Sequence, residues 1–447
     1  MARIYPFRAL RYNPSLVRLQ DVVTQPYDKI TPAMQQAYYQ RSPYNLVRII
    51  LGLPELFDGE GPQDVYRRAA RDFAAWRRDG VLAQESEPCV FAYSQAFSVP
   101  GSPTESKTLC ERRGFIALGE LYDYSANVVF RHEQTLSKPK SDRLSLLNAT
   151  RAHFGQIFML YSDPGLTAER LLFGSSAAPD IEVTDEYDVV HRVWRISDPG
   201  TINLLTGALE DKKLIIADGH HRYETALQYA REHVPAVAAP QTERNAWSAP
   251  QPPRSEAAAM MTFINMDREG LVILPTHRVI HGLTSFDAIR FIEGTKAYFD
   301  IESLSIGDPD GLVARLKENQ SKTAFVVVLA TEKYLLTARP EATDAALKGV
   351  SPRQRSLDTV QLHALIFERV LGISSEAISQ QTNVRYLRDA AEAIEQVMRN
   401  DAQIAFLMNP VTLDELREVA FAGEVMPQKS TDFFPKLLSG LTIYALD

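Results

Sequence analysis

One segment, Leu214–Glu232 (LIIADGHHRYETALQYARE), constrains the path of this chain more than any other stretch of its 447 residues. Four apolar residues in succession lead into Asp218 and Gly219, and alanine and leucine residues at helical spacing follow at once. The pattern predicts a buried strand that turns directly into a helix. Gly219 permits such a turn, because glycine adopts a positive φ and lets the backbone approach closely.

The predicted turn puts His220, His221 and Arg222 in the first turn of the helix. The free N–H groups and the positive dipole end of a helix favour an anion at this place. Cations there oppose the dipole, so their presence predicts a negatively charged ligand, and Arg222 could hold a phosphate through two parallel hydrogen bonds. The alternatives are a solvated turn and a metal site, although adjacent histidines on a helix point about 100° apart and rarely share one ion.

A second charged segment, Arg131–Arg143 (RHEQTLSKPKSDR), carries four basic and two acidic residues in a chain of net charge −8. Its Lys-Pro-Lys-Ser sequence is unsuited to the middle of a helix, so we expect a loop followed by a helix that Ser141 or Asp142 caps. A carboxylate such as Glu133 beside several cations suits phosphoryl transfer, because it can accept a proton while the cations neutralise phosphate. A solvated charged loop is the alternative.

A proline-rich stretch organises the rest of the chain. Residues 234–255 contain five prolines and no apolar periodicity, which predicts a linker or loop between residues 1–233 and 256–447. Strands and helices mix irregularly on both sides of it, so we expect an α+β fold with a mixed core in the N-terminal half and an additional α+β C-terminal region. The predicted elements are helices over Asp64–Asp79 and Arg385–Met398, strands over Cys89–Phe97, Gly114–Leu121 and Lys213–Ala217, and a hairpin of Ala324–Ala330 with Tyr334–Thr337.

Composition and missing motifs exclude several classes of function. The negative net charge disfavours sequence-independent binding to DNA or to anionic lipid. Cys89 and Cys110 form no CxxC pair, which argues against a zinc site or a disulfide framework and fits a reducing cytoplasm. We predict no metal ligands, no signal peptide and no membrane span, because the longest apolar run, Ala324–Ala330, is far shorter than the ~18 residues a span needs. P-loop and GxGxxG motifs are absent from the sequence.

Six motifs in a fixed order carry a family resemblance: QPYDKI (Gln25–Ile30), RHEQT and KPKSDR (within Arg131–Arg143), NAT (Asn148–Thr150), ADGHHRYETA (Ala217–Ala226), LPTHRV (Leu274–Val279) and MPQKSTDFFPKLLSGL (Met426–Leu441). Together they resemble the domain of unknown function 1015 family, which is placed with the ParB/sulfiredoxin-like folds. The resemblance covers nearly the whole chain. It implies a ParB/sulfiredoxin-like core within residues 1–233.

The turn Gly219–Arg222 resembles the G-x-H-R phosphate-binding turn of sulfiredoxin. His220 stands where sulfiredoxin has its nucleophilic cysteine, so reduction of a sulfinic acid is not expected, because no thiolate is available to attack. ParB-type proteins need a DNA-binding module and usually a basic face, and the sequence offers neither. The resemblance implies instead a kinase of small molecules, as in the branch of that superfamily that phosphorylates free serine.

We therefore predict an ATP-dependent phosphotransferase acting on a small hydroxyl compound, with free L-serine as the expected acceptor and with Mg²⁺ recruited by the nucleotide. The predicted catalytic residues are Glu133 as the base, His132 and Arg143 near the transferred phosphoryl group, and Asp218 near the metal or the acceptor. The predicted nucleotide-binding residues are Gly219, His220, His221, Arg222, Lys138 and Lys140. Both charged segments should meet in one cleft.

Two other functions stay open. One is a nucleotide-binding regulator of ParB-like type that closes on ATP or CTP without group transfer, and the other is a metal-dependent hydrolase that uses the histidine pair. The expected partners are a nucleotide and a small-molecule substrate, with no nucleic acid and no membrane, and a homo-oligomer is one option for the assembly. We interpret His277 as structural and Met426–Leu441 as a docking segment.

Overall fold

The computed structural model describes residues 1–53, 64–100, 109–133, 137–174, 177–233 and 250–447. Most of the predicted linker, residues 234–249, lies outside the described residues. The chain divides into two compact units. The first unit consists of Met1–Arg131, Thr135–Val272 and Pro435–Asp447, and the second of His132–Gln134 and Ile273–Phe434.

The strands are short and spread along the whole chain. In order they are β1 (Ile4–Tyr5), β2 (Leu10–Tyr12), β3 (Leu82–Gln84), β4 (Val90–Ser98), β5 (Leu109–Glu120), β6 (Val129–Phe130), β7 (Ala152–His153), β8 (Ile157–Tyr161), β9 (Ile181–Thr184), β10 (Val190–Ile196), β11 (Leu214–Asp218), β12 (Ala258–Asn265), β13 (Val272–Leu274), β14 (His277–Ile280), β15 (Phe299–Ser303), β16 (Ala324–Val328), β17 (Lys333–Ala338), β18 (Val384–Leu387), β19 (Ile404–Met408), β20 (Asp432–Phe434) and β21 (Tyr444–Ala445).

The α-helices are α1 (Leu19–Val22), α2 (Pro32–Arg41), α3 (Val47–Ile50), α4 (Asp64–Arg78), α5 (Ser137–Thr150), α6 (Thr167–Leu172), α7 (Pro199–Leu209), α8 (His220–His233), α9 (Ala288–Thr295), α10 (Pro309–Lys317), α11 (Pro340–Ala346), α12 (Pro352–Arg355), α13 (Asp358–Gln361), α14 (Ser375–Ser379), α15 (Ala390–Met398) and α16 (Leu413–Phe421). Leu362–Val370 is a π-helix, and Tyr27–Lys29, Tyr124–Ala126 and Ser255–Ala257 are 3₁₀ turns. No helix in the described stretches is both long and apolar enough to cross a membrane.

The first unit is built on a sheet of nine of the described strands. Their order is β6-β11-β8-β12-β5-β4-β10-β9, with β1 also paired to β5. The pairs β6–β11 and β8–β12 are parallel, and the other described pairs are antiparallel. Strand β12 is buried at every position, so protein covers both of its faces. The strand that carries Asp218, β11, therefore lies near one edge of a well-anchored sheet.

Helices of the first unit bury their apolar faces in two clusters. Leu205 of α7 and Tyr223 of α8 join Phe115 of β5 in one buried cluster. Phe73 and Trp76 of α4 belong to a second cluster, and this helix ends just before Gly80, as expected. Burying each such aromatic side chain contributes about 1.5–3 kcal/mol to folding.

The second unit is built on six of the described strands in the order β15-β17-β16-β19-β14-β18, all paired antiparallel. The predicted hairpin is confirmed as β16 and β17. Alternate residues of β16 enter different cores: Phe325 packs with the π-helix residue Phe367, whereas Val326 packs with Leu312 of α10 and Val397 of α15. The sheet is therefore covered by helices on both faces, because strand side chains alternate between faces.

Two predicted elements need correction. The helix expected over Arg385–Met398 begins only at Ala390, because β18 pairs with β14 and Asp389 caps the helix by accepting from the backbone N–H of Glu392. Helix α5 begins at Ser137 rather than after a cap at Ser141 or Asp142. Its Lys-Pro-Lys-Ser sequence lies in the first two turns, where the missing N–H of proline is tolerated because N–H groups in the first turn have no helical partner.

The two compact units do not follow the predicted division at residues 234–255. Strand β12, which was expected in the C-terminal region, pairs with both β5 and β8 of the first unit. The segment Pro435–Asp447 also belongs to the first unit, where β21 pairs with β7. Both departures come from strand pairing between residues that are distant in sequence, which composition alone does not reveal.

Gly114 of β5 tests the packing of the central sheet. An added methyl group would overlap the carbonyl oxygen of Phe263 and the side chain of Ile264 on β12, so Gly114→Ala should lower the free energy of unfolding by about 1–3 kcal/mol. Gly207 in α7 has open space around it, so Gly207→Ala should stabilise the protein by about 0.5–1 kcal/mol. Urea unfolding would measure both changes, and equal midpoints for the two variants would contradict the packing argument.

Candidate functional site

The predicted strand, tight turn and helix are confirmed. Strand β11 ends at Asp218, and α8 begins at His220. Gly219 between them has a φ of +92°, and a Cβ atom there would lie 3.0 Å from Cζ of Arg222. Glycine is therefore needed both for the backbone conformation and for the position of the arginine.

Asp218 lies between two cations. Its Oδ2 is 2.6 Å from Nη2 of Arg222, and its Oδ1 is 3.3 Å from Nζ of Lys436. Nη1 of Arg222 also donates to the carbonyl oxygen of Gln156. Burial opposes ionisation of the carboxyl, but the positive charges of Lys436, Arg222 and Lys29 outweigh burial and hold the pKa of Asp218 well below its usual range. The carboxylate is therefore charged at any pH at which the protein would work.

Arg143 and Arg222, which come from the two charged segments, line the same cleft in the first unit. Tyr27, Thr225 and Ser439 add hydroxyl groups to its wall. The remaining lining residues are Pro26, Ile50, Leu146, Leu147, Ala152, His153, Phe154 and Gly155. Four of the six sequence motifs thus contribute to one cleft that combines guanidinium groups, hydroxyl groups and an apolar wall.

Contacts hold Arg143 in a defined orientation. Its guanidinium carbon lies 4.0 Å from the centre of the Tyr27 ring, and its Nη1 donates to the carbonyl oxygen of Ile50 at 2.8 Å. Nε and Nη2 both donate to Oδ2 of Asp142, whose Oδ1 accepts from the Tyr66 hydroxyl. Burial raises the pKa of Tyr27, so its hydroxyl stays protonated and can donate a hydrogen bond.

The other predicted basic residues are arranged differently. Nζ of Lys140 is 2.9 Å from Glu224, which also lies 3.6 Å from Nη1 of Arg131. The side chain of Lys138 lies outside the described residues. His220 is buried and His221 half-buried in the first turn of α8. Within the described ranges, no group of three or more His, Cys, Asp or Glu side chains comes together as a metal site would require.

His132 and Glu133 belong to the second unit. Oε1 of Glu133 accepts from the backbone N–H of Ser430 at 3.1 Å, and from the N–H and the hydroxyl of Thr431, each at 3.3 Å. Buried His132 has its Nε2 2.8 Å from the same hydroxyl, and its carbonyl oxygen accepts from the N–H of Met426. Both residues therefore bind the segment that begins at Met426, which the sequence marked only as a docking segment.

His277 is structural, as interpreted from the sequence. Its Nδ1 accepts from the backbone N–H of Met408, and burial lowers its pKa to about 4, so the ring is neutral at pH 7. Its neighbour Arg278 is a feature that sequence reasoning missed. Arg278 is buried, donates to the carbonyl oxygen of Lys429, and has its pKa lowered to about 10 by burial. It thereby holds the same segment that Glu133 binds.

Lys436 is the other residue that sequence reasoning missed. It is the only charged residue in the stretch FFPKLL, and the structure buries it. A lone lysine in an apolar run signals a cation that needs an internal partner, because lysine is almost never fully buried unless it is paired. That signal was available in the sequence, but the identity of the partner, Asp218, was not.

Comparison with known proteins gives a family and distant structural likenesses. A family model described as "Protein of unknown function (DUF1015)" matches residues 4–360. No curated protein gives a significant match.

Several solved structures are similar to this chain at low identity. A conserved hypothetical protein from Pyrococcus furiosus is 13% identical, with 69% of this chain and 89% of that chain covered and a TM-score of 0.33. A free serine kinase in complex with AMP is 13% identical, with 68% and 83% covered and a TM-score of 0.34. SbnI with a C-terminal truncation, from Staphylococcus aureus, is 10% identical, with 72% and 85% covered and a TM-score of 0.34. Likeness at this level does not identify an activity.

The family assignment rests on the family model, which covers far more than half of the chain and includes five of the six motifs whole. The motifs that suggested the resemblance are the same ones that supply Tyr27, Arg143 and Arg222 to the cleft. This protein therefore belongs to the DUF1015 family.

Proposed function

We propose that the cleft of the first unit binds the phosphate groups of ATP and that the protein transfers the terminal phosphoryl group to a small hydroxyl compound, free L-serine being the acceptor to test first. The observation that carries this proposal is the pair Arg143 and Arg222 on one cleft. The chain has a net charge of −8, so two guanidinium groups gathered on one cleft indicate an anionic ligand. Arginine also matches phosphate geometry through parallel hydrogen bonds.

The remaining lining of the cleft suits a nucleotide better than a bare phosphate. Leu146, Leu147 and Phe154 offer an apolar surface against which a base can pack, and the hydroxyl groups of Tyr27 and Ser439 can donate to phosphate or ribose oxygens. Gly219 and the N-terminus of α8 add backbone N–H groups close to Arg222. A ribonucleoside polyphosphate would use all three kinds of surface.

Mg²⁺, when bound, would neutralise phosphate charge during the transfer. Asp218 is the carboxylate closest to Arg222 in this site, but each of its oxygens contacts a cation. It therefore offers no open pair of ligands, and we expect the metal to arrive with the nucleotide and to be held mainly by phosphate oxygens. Asp218 would then act on the electrostatics of Arg222 and of the metal.

In the proposed reaction the acceptor hydroxyl oxygen forms a bond to the γ-phosphorus, and the bond from that phosphorus to the bridging oxygen of ADP breaks. The hydroxyl proton passes to a base, for which we propose Glu133, and the products are a phosphate monoester and ADP. His132 and Arg143 are proposed to lie near the transferred group. Three hydrogen bonds to Oε1 of Glu133 restrict its rotation. Positioning and charge neutralisation would supply most of the rate.

The serine acceptor and the ParB/sulfiredoxin-like relationship both derive from the motif resemblance. The solved structures of free serine kinase hold ADP or AMP, but their similarity to this chain is too low to support either point. A screen of hydroxyl compounds with ATP, beginning with L-serine, tests the acceptor directly. ATP binding without transfer to any acceptor would instead favour the nucleotide-binding regulator.

Arg222→Ala tests the phosphate contact. Loss of a charge-assisted bidentate contact should weaken ATP binding by about 1.5–3 kcal/mol, which is roughly 10–150-fold in Kd. Arg231→Ala is the matched control, because it removes the same charge from the exposed far end of α8. Titration calorimetry would measure both affinities, and equal losses in the two variants would reject Arg222 as a specific ligand.

Glu133→Gln tests the base. Glutamine keeps an oxygen that can accept from Ser430 and Thr431, so the fold should persist, while turnover should fall roughly 10²–10⁴-fold because the proton acceptor is lost. ATP affinity should stay within about twofold of that of the unaltered protein, since the base would face the acceptor. Release of ADP in the presence of L-serine measures turnover, with Glu424→Gln in the same unit as control. Full activity in Glu133→Gln would exclude this residue as the base.

A further inference from the structure

The C-terminal segment of the first unit, Pro435–Asp447, reaches several of the elements that border the cleft. Ser439 exchanges backbone hydrogen bonds with Thr24, two residues before Pro26. Strand β21 pairs with β7, next to the cleft residues Phe154 and Gly155. Lys436 lies against Asp218 at the end of β11. One short segment thus makes contacts at three places around the site.

The backbone around Lys436 is clamped by buried polar side chains. Nη2 of Arg112 donates to the carbonyl oxygen of Pro435 at 2.5 Å, and Nε2 of Gln95 donates to that of Lys436 at 2.8 Å. Oε1 of Gln95 in turn accepts from Nε of Arg112 at 3.0 Å. Arg112 and Gln95 are each only 1% exposed, so this clamp is rigid and shielded from solvent. It fixes the point from which the lysine side chain leaves the backbone.

The charges in this cluster do not cancel. Asp218 carries one negative charge, and Lys436 and Arg222 carry two positive charges against it. Lys29 adds a further positive influence on the same carboxylate. Without Lys436, Asp218 would keep its direct ion pair with Arg222, and that pair by itself is neutral. Because the lysine compensates the carboxylate from the protein interior, the charge of Arg222 stays available to the cleft that Arg222 lines.

We propose that Lys436 is a positioning residue of the phosphate site: by compensating Asp218 from the buried side, it keeps Arg222 available for an anion in the cleft. The inference rests on the proposed function in that the anion is taken to be the phosphate chain of a nucleotide. Lys436 lies on the far side of Asp218 in this scheme and acts through the carboxylate. The C-terminal segment thereby becomes a part of the site rather than a surface for docking.

The charge argument can be tested with a double-variant cycle. Lys436→Met should weaken binding of ADP and of inorganic pyrophosphate about tenfold, because Arg222 is then neutralised by Asp218. Asp218→Asn keeps both Lys436 and Arg222. This variant should therefore bind ADP and pyrophosphate at least as tightly as the unaltered protein does. The double variant Lys436→Met/Asp218→Asn again leaves one uncompensated arginine and should return to within about threefold of the unaltered affinity. Lys212→Met, at the opposite end of β11, is the charge-matched control.

Calorimetry measures the affinities of the unaltered protein, the three variants of the cycle and the control, and thermal unfolding shows whether each of them folds. A merely structural lysine would leave the double variant as weak as Lys436→Met, and that result overturns the proposal, as does an unchanged affinity in Lys436→Met. If Lys436→Met does not fold, the double variant and Asp218→Asn still decide, since weak binding in both overturns it. If the proteins bind pyrophosphate in the expected order of affinity but do not bind ADP, the positioning role of Lys436 is supported and the nucleotide is refuted as the ligand. No binding of either probe by the unaltered protein overturns both proposals.

Discussion

A carboxylate at the end of a buried strand must be compensated, and the site in the first unit depends on how this is done for Asp218. Removing such a charge from water costs on the order of several kcal/mol unless partners replace the lost solvation. Arg222 and Lys436 provide that replacement from different parts of the chain, since the first is four residues from Asp218 and the second is 218 residues away. The turn at Gly219, the first turn of α8 and the path of the C-terminal segment together bring these two cations to one carboxylate.

The contact between Lys436 and Asp218 joins two separate stretches of the discontinuous first unit. The side chain of Lys436 reaches the end of β11 because its backbone is held nearby. Arg112 and Gln95 hold this backbone by donating to the carbonyl oxygens of Pro435 and Lys436. Arg112 is itself a buried cation, with its pKa lowered to about 10 by burial and its guanidinium 4.8 Å from the centre of the Phe158 ring. Its hydrogen bonds to Gln95 and to Pro435 replace the water it has lost. The clamp and the charge cluster thus stabilise each other across the sheet.

The parts of this structure that the sequence predicts are those that local patterns determine. The turn at Gly219, helix α4 and the hairpin of β16 and β17 each follow from spacing within a few residues. The prediction of a helix was wrong for the N-terminal part of Arg385–Met398. Its apolar positions suit a helix, but pairing with β14 makes it strand β18. The membership of β12 and of Pro435–Asp447 in the first unit depends on partners far away in sequence, so no local pattern contains it.

The residues of the site likewise divide into those that local sequence patterns reveal and those that depend on distant partners. Asp218, Arg222 and Arg143 stand in charged motifs whose composition is unusual for a net-acidic chain, and they were therefore recognisable. The role of Lys436 was not, because a lysine acquires it only through a clamp formed by residues more than 300 positions away. The start of α5 was predicted too late for a different reason, namely that a first-turn proline and a helix-breaking proline look identical until the helix start is known.

The two carboxylates proposed to act in catalysis are held by different groups, and this difference bears on the roles proposed for them. Asp218 is held by cations, which keep its pKa well below the usual range and make it a poor proton acceptor at neutral pH. Glu133 accepts hydrogen bonds from the neutral donors of Ser430 and Thr431, and it also interacts electrostatically with buried Arg278. The proposed reaction needs a carboxylate that accepts the proton of the acceptor hydroxyl, whereas the proposed phosphate contact of Arg222 needs a neighbouring carboxylate that stays ionised. Asp218 meets the second of these requirements and not the first, which is why the proposed reaction assigns the base to Glu133 and not to Asp218.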